Sequence, residues 1–101
     1  MLPNKQCMKD ILKYVSQNIN VEVDNMDFHN ITVNSFNLST LLEQMPKEGK
    51  YTMEEIAYNF LQCYNNKLID AQISYQSPKS IQSSTSFIYG VSLSGVDFVQ
   101  E

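Results

Sequence analysis

The residue types that most often carry out chemistry are few in this chain and stand far apart. His29 is the single histidine and lies in a polar segment beside Asp27 and near Asp24. It could act as a general base or a ligand, but a metal site needs convergent ligands, so a solvated loop histidine is the simpler interpretation. Cys7 and Cys63 form no Cys-x-x-Cys motif, and we expect reduced thiols in the core. We therefore expect neither a metal nor a cofactor.

Two adjacent carboxylates, Glu54 and Glu55, allow two interpretations. They could form an acid–base pair, or they could mark a helix N-terminus, where the helix dipole favours acidic side chains. The second is favoured, because Thr52 and Glu55 have the spacing of a capping box. With three glycines and no glycine-rich phosphate loop, no set of residues resembles a catalytic site. The sequence predicts a protein that is not an enzyme.

Length, charge and hydropathy describe one small domain over residues 1–101. The net charge is −4, and all seven basic residues are lysines. Arginine is the usual reader of guanine, so its absence argues against duplex DNA as the partner without excluding it. We expect no signal peptide and no membrane span, since no apolar run approaches the roughly 20 residues that a span needs. The expected location is the cytoplasm of a bacterial host.

Apolar spacing predicts helices and strands in the first half of the chain. A helix is predicted over residues 3–18, with Pro3 in its first turn. Two short strands, each with one buried face, are predicted around Val21–Val23 and Ile31–Val33, with a polar loop over 24–30. A second helix is predicted over 36–45, capped by Asn37 or Ser39 and ended by Pro46 and Gly49.

The second half predicts a third helix and a hairpin. The helix begins at the Thr52 capping box and runs to about Asn65, with Asn65-Asn66 as a left-handed stop. Its predicted apolar face consists of Met53, Ile56, Ala57, Phe60, Leu61 and Tyr64. Strands are predicted over 68–75 and over 87–93, the latter with Phe87, Tyr89, Val91 and Leu93 apolar, around a mobile serine-rich loop at 77–86. A last helical turn follows from Val96.

Two helices followed by a hairpin are typical of the winged-helix arrangement. We therefore predict an α+β, winged-helix-like fold of three helices, a β-hairpin wing and a short C-terminal helix. The third helix would occupy the position of a recognition helix. Its outward face, together with the wing, is the predicted partner-binding surface. That surface consists of Glu55, Tyr58, Asn59, Gln62, Asn66 and Lys79.

Four segments resemble a family of uncharacterised winged-helix-like proteins from phages, prophages and low-GC Gram-positive bacteria, distantly similar to YjcQ-like proteins. They are Met8–Val15, Tyr51–Tyr58 (YTMEEIAY), Asn66–Asp70 (NKLID) and Ile88–Val99 (IYGVSLSGVDFV). The chain departs from the family at Asn66-Lys67, where Ala-Gly is frequent, and at Val96-Asp97, where His-Glu is frequent. The resemblance implies a winged-helix-like fold and a phage-linked origin, and it implies no established activity.

Two functions of different classes follow as expectations. The first is a non-enzymatic, phage-type interaction module that binds a protein partner or itself, for example a counter-defence inhibitor, anti-CRISPR-like, of a host nuclease. The second is a DNA-binding regulator that uses the helix at 52–65 and the wing around Lys79. Asn and Gln can pair with adenine, but Glu54 and Glu55 would repel phosphate. We expect no membrane and no small-molecule substrate as partner.

Overall fold

The computed structural model describes residues 1–26 and 28–101 and has a mixed α+β architecture. The described residues form four α-helices: α1 (Lys5–Asn18), α2 (Leu38–Gln44), α3 (Met53–Asn65) and α4 (Leu93–Val99). Two 3-10 turns lie at Met45–Glu48 and Ser83–Thr85. No helix in this part of the chain combines the length and the apolar character needed to cross a bilayer.

The strands are short and pair only in antiparallel fashion. They are β1 (Asn20–Val23), β2 (Ile31–Asn34), β3 (Phe36–Asn37), β4 (Ile69–Gln72), β5 (Tyr75–Ser77), β6 (Ser80–Ile81) and β7 (Phe87–Val91). A central sheet has the order β3-β7-β4, while β1-β2 and β5-β6 form separate hairpins. Residues distant in the chain therefore meet at β7, which pairs with strands on both sides.

Helix α1 begins later than its proline predicts. Pro3 precedes the helix, and Asn4 is the N-cap, with its side chain accepting a hydrogen bond from the Cys7 N–H. The capping side chain gives a hydrogen-bond partner to a backbone N–H of the first turn, whereas a proline is merely tolerated in that turn. The cap therefore determines where the helix begins. The predicted apolar stripe is confirmed, because Met8, Ile11, Leu12 and Val15 are all buried.

Helix α2 is capped by Asn37, one of the two predicted candidates, whose carboxamide oxygen accepts from the Thr40 N–H. The helix begins at Leu38 rather than at residue 36, because Phe36 and Asn37 pair with β7 instead. Pro46 lies inside the 3-10 turn that follows, and Gly49 ends it in the left-handed conformation at φ 83°. The α-helix therefore ends at Gln44, one residue before the predicted end, and the predicted Gly49 stop ends the 3-10 turn that continues it.

Helix α3 ends in a Schellman motif. The Leu68 N–H bonds to the Cys63 carbonyl, and the Lys67 N–H bonds to the Tyr64 carbonyl. The residue in the left-handed conformation is Lys67, at φ 60°, and not Asn65 or Asn66 as predicted. Leu68 is then buried just before β4, in keeping with the apolar contact that often accompanies this motif.

The segment after α3 does not form the single strand predicted over 68–75. Strand β4 ends at Gln72, and β5 begins at Tyr75 as part of a second hairpin. The serine-rich stretch predicted as a mobile loop contains β6, a 3-10 turn and the fully buried Ser86. The Ser86 hydroxyl accepts from the Ser74 N–H and donates to the Gln82 carbonyl. These two bonds join the chain just before β5 to the chain just after β6.

Strand β7 buries a different side from the one that its predicted apolar residues, beginning with Phe87 and Tyr89, indicated. Ile88 is fully buried, whereas Phe87 and Tyr89 are exposed. Leu93 is not in the strand at all, since it begins α4 after the Ser92 N-cap. Alternation gives the two faces of a strand but not which face is inward, and here β7 turns its single isoleucine to the core.

One core joins α1, α2, α3 and the central sheet. Its fully buried side chains include Ile11, Leu41, Ile56 and Phe60. Helix α4 approaches this core through Gly95, where a Cβ atom would lie 2.1 Å from the Leu68 carbonyl oxygen. Only glycine allows this close approach of helix and chain.

The β1–β2 hairpin lies outside that core. Both predicted strands form, but every residue in them is exposed, so the predicted buried faces are wrong. Val21 pairs with Val33, and Val23 pairs with Ile31. No other element packs extensively against the hairpin among the described residues. Its connecting loop was predicted correctly, although Asp27 lies outside the described residues.

Candidate interaction surface

The capping box at the start of α3 is formed as predicted. The Glu55 N–H donates to the Thr52 hydroxyl at 3.1 Å, and the Thr52 N–H donates to the Glu55 carboxylate at 3.0 Å. The Glu55 carboxylate is thus occupied by the helix backbone. This arrangement gives Glu55 a structural role, and it leaves Glu54 as the freer acidic group of the first turn.

Asn59 does not lie on the outward face where the sequence placed it. Its side chain is only 2 % exposed and is hydrogen-bonded at both ends. The carboxamide oxygen accepts from the Asn4 N–H at 2.8 Å, and the amide group donates to the Glu55 carbonyl at 2.8 Å. An amide held in this way joins α1 to α3, and it is not available to a partner.

The inward side of α3 is rotated relative to the prediction. The buried residues are Ile56, Asn59, Phe60 and Cys63. Met53 was assigned to the apolar face but is 48 % exposed. Tyr58 and Gln62 are half-buried, whereas Asn66 is exposed, with its amide donating to the Gln62 carbonyl. The outward face therefore keeps Tyr58 and Gln62, loses Asn59, and gains the half-buried Ala57 and Leu61.

An apolar groove connects α3 to the second hairpin. It has a volume of about 180 Å³ and runs between α2, α3 and β6. Its lining residues are Leu38, Leu42, Ala57, Leu61, Ile81 and Ser83. Lys79 lies in the turn between β5 and β6, at the far end of the same hairpin. Sequence reasoning missed this groove, because its walls come from three separate segments.

The lysines just before α3 are not both free. The Lys50 ammonium lies 3.7 Å from the carboxylate of Asp10, on α1. The Tyr51 hydroxyl donates to the same carboxylate at 2.7 Å. Burial acts to raise the pKa of Asp10, but hydrogen bonds from Tyr51 and from the Gln6 amide, together with the nearby charge of Lys50, bring the pKa below its ordinary value. Lys47, Lys67 and Lys79 are exposed.

Both thiols lie in the core, as predicted. Cys7 and Cys63 are free and fully buried, and the Cys63 thiol contacts the Met8 carbonyl at 3.8 Å. Burial raises the pKa of Cys7 to about 11 and the pKa of Cys63 to about 12. A nucleophilic cysteine requires the opposite shift, so these thiols have the properties of packing residues.

No set of His, Cys, Asp and Glu side chains within residues 1–26 and 28–101 is arranged to hold a metal ion. His29 has a left-handed backbone at φ 52° in the loop between β1 and β2.

No protein-family model, curated protein or solved structure matches the chain.

Proposed function

We propose that the chain is a winged-helix-like interaction module, without catalytic activity, that binds a protein partner. The central sheet order β3-β7-β4, with α3 directly before β4, supports the winged-helix part of this proposal. The β5–β6 hairpin interrupts the path from β4 to β7 and corresponds to the wing. A phage or prophage origin stays a proposal that rests on the resemblance in sequence.

The observation that carries the protein-binding proposal is the apolar groove between α2, α3 and β6. Ala57 and Leu61 on α3 line it together with Ile81 of the second hairpin. It therefore joins the two elements that the sequence singled out. A half-buried tyrosine, Tyr58, and the uncharged Gln62 lie on the same helix as this groove. An apolar groove, an aromatic residue and an uncharged amide on one helix are the composition of a protein interface. In the concrete version of this proposal the partner is a host nuclease, which the protein inhibits.

The same surface is a poor fit to duplex DNA. The Asn59 carboxamide, which could have read adenine, is buried and satisfied. Glu54 lies in the first turn of α3, where it would repel the phosphate backbone. The ammonium of Lys50 lies close to the Asp10 carboxylate, which partly balances its positive charge. These three features favour a protein over a nucleic acid as the partner.

The test is a capture experiment with lysate of the host, run beside a mobility shift on mixed genomic fragments at low salt. We expect one stoichiometric protein partner and no shift. Ala57→Glu should abolish capture, because it places a charge in the lining of the groove, and Tyr58→Ala should weaken capture, because it removes the aromatic residue of the predicted binding face. Tyr89→Ala is the matched control, since it removes an exposed tyrosine from the outer face of the sheet instead.

A regulator would give the opposite pattern. Its DNA affinity would fall steeply with salt through counterion release, and Lys67→Ala or Lys79→Ala would weaken it. A salt-sensitive shift with no protein captured would overturn the proposal in favour of DNA binding.

A further inference from the structure

The outer edge of β4 is open. In the central sheet of order β3-β7-β4, β4 pairs with β7 on one side only. Among the described residues, no hydrogen bond joins its backbone to any segment other than β7. The unpaired N–H and C=O groups of an edge strand allow another extended chain to pair with it. This edge can therefore accept a further strand.

The pairing with β7 identifies the residues whose backbone groups lie on the open side. The Leu68 carbonyl accepts from the Ser92 N–H at 3.0 Å, so Leu68 is directed towards the chain that follows β7. Backbone groups of successive residues alternate between the two sides of a strand. Ile69 and Ala71 therefore direct their N–H and C=O groups away from β7. The irregularity in this pairing does not change the alternation, because the extra residue, Tyr89, belongs to β7.

A groove lies beside this open edge. It has a volume of about 480 Å³ and is bounded by the last turn of α3 and by β4. Its lining residues are Tyr64, Asn65, Lys67, Ile69, Asp70 and Ala71. A strand edge with space beside it can take up an extended peptide, whose main chain bonds to the edge. Both residues with open backbone groups, Ile69 and Ala71, line this space.

The charge along the groove indicates which side chains such a peptide would carry. Asp70 is exposed, and its neighbour on β7 is Gly90, which has no side chain. Neither of the ion pairs among the described residues involves Asp70. On a strand added beside β4, the residue opposite Asp70 projects from the same face, so a lysine or arginine there is favoured. Lys67 lines the other end of the groove, where an acidic side chain is favoured.

A second copy of the chain fits this edge poorly. In the symmetric antiparallel pair that uses both open residues, Ile69 of one copy lies opposite Ala71 of the other. The two Asp70 residues are then directly opposite each other, and like charges in that arrangement are destabilising. The favoured occupant is therefore a segment of a different protein.

We propose that the open edge of β4 binds an extended segment of a protein partner as an additional antiparallel strand, with a lysine or arginine opposite Asp70. Apolar side chains flank that cation, because Ile69 is buried and Ala71 is half-buried on the inner face of the sheet. Main-chain hydrogen bonds supply affinity, and the charge opposite Asp70 sets the register. This surface is separate from the groove between α2, α3 and β6, although both proposals assign protein binding.

The test uses labelled hexapeptides and fluorescence anisotropy with the full chain. The first, Thr-Val-Lys-Val-Thr-Glu, places its lysine opposite Asp70 and its glutamate near Lys67 when it lies antiparallel to β4. The second, Thr-Val-Glu-Val-Thr-Lys, has the same composition with the two charges exchanged. We expect the first to bind about tenfold more tightly. Equal affinities would overturn the role of Asp70, and no binding of the first peptide at millimolar concentration would overturn the proposal.

N-methylation separates main-chain pairing from attraction between side chains. A methyl group on both valine nitrogens of the first peptide removes the two donors that face β4 and should weaken binding about tenfold or more. Methylation of the lysine and second threonine nitrogens, which face away from β4, is the matched control and should change the affinity by less than about threefold. Equal losses in the two methylated peptides would overturn strand addition.

A charge reversal in the protein tests whether the peptide lies at this edge. Asp70→Lys should reverse the preference between the first two peptides, because a glutamate would then be favoured at the opposite position. Asp97→Lys, at an exposed position on α4, is the matched control and should keep the preference of the unsubstituted protein. An unchanged preference in Asp70→Lys would overturn the proposed site.

Three outcomes separate this proposal from the proposed function. If light scattering shows a dimer that the first peptide dissociates, a second copy occupies the edge and the proposed occupant is wrong. If the protein captured from lysate depends on Ala57 but not on Asp70, and the first peptide does not bind, only the edge proposal fails. If the first peptide binds at the edge but no protein is captured, the groove of the proposed function loses its support, whereas the edge proposal stands.

Discussion

The side chain of Asn59 accepts a hydrogen bond from the backbone N–H of Asn4, 55 residues earlier in the chain, at 2.8 Å. Asn4 in turn caps α1 by accepting from the Cys7 N–H at 3.1 Å. One buried amide on α3 therefore fixes the position at which α1 begins. The residue that resembled a partner-binding amide in the sequence is part of the fold instead.

Asn59→Ala should destabilise the protein by about 2 kcal/mol, because it leaves the Asn4 N–H without its acceptor and opens a small cavity. Urea unfolding followed by circular dichroism measures this loss. Gln62→Ala is the control: this residue lies three positions later on α3 and is half-buried, and its loss should change stability by less than about 0.5 kcal/mol. Equal losses in the two variants would contradict the assigned role of Asn59.

Gly95→Ala should be among the most destabilising single changes in the chain. The added Cβ would lie 2.1 Å from the Leu68 carbonyl oxygen and 2.6 Å from a methyl group of Val91. Moving α4 away from the sheet should cost about 3 kcal/mol, as overpacking at backbone does. Gly90→Ala is the matched control, since nothing lies within 4 Å of its Cβ position. A normal melting temperature for Gly95→Ala would show that α4 moves away without loss.

Lys67→Gly should stabilise the protein by about 1 kcal/mol, because a non-glycine residue in the left-handed region carries a steric penalty that glycine lacks. Lys67 has φ 60°, and its carbonyl still accepts from the Ser92 hydroxyl at 2.7 Å, a bond that the variant keeps. Asn66→Gly, at φ −91°, should give no such gain. Thermal melts of the two variants compare them directly, and a larger gain for Asn66→Gly would refute the assignment.

The acid stability of the protein should depend on Tyr51 and Asp10. The pKa of Asp10 is lower in the folded state than its ordinary value, so its contribution is fully present above about pH 4 and is lost as the pH falls through the folded pKa. Tyr51→Phe removes the hydrogen bond that donates to this carboxylate. It should cost about 1 kcal/mol at pH 7 and flatten the fall in stability as the pH is lowered below about 4.

The control for that measurement is Tyr14→Phe, which also removes one hydroxyl but leaves an aromatic ring edge-on to Phe36. Its free energy of unfolding should fall with decreasing pH as in the unsubstituted protein. If both variants showed the same pH dependence, the Tyr51 hydroxyl would not be the group that lowers the pKa of Asp10.

The two thiols should be unreactive in the folded protein. Burial raises the pKa of Cys7 to about 11 and the pKa of Cys63 to about 12, so at pH 8 almost no thiolate is present. A thiol-specific colour reagent should label neither residue in buffer and both in denaturant. Labelling of the Gly95→Ala variant should be faster, because the labelling rate depends on the fraction of transiently unfolded molecules, which the substitution increases. Rapid labelling of the native protein would contradict the burial of these residues.

Local signals in the sequence determined most of the secondary structure. The capping box at Thr52 and Glu55 and the apolar stripe of α1 each depend on residues within a few positions of one another. Hydrogen bonds between a capping side chain and a nearby N–H need no distant partner, so spacing alone predicts them. The position of β7 was predictable in the same way, from alternation.

For α3, β7 and the first hairpin, only the tertiary structure decided which face is inward. Asn59 is buried because the Asn4 N–H offers it a partner across the core, and Ile88 is buried because its side of β7 packs against the helical core. Alternation in the first hairpin was equally clear, yet its apolar face is exposed, since no other element lies over it among the described residues. Burial depends on what packs against a residue, and that contact comes from segments far away in the chain.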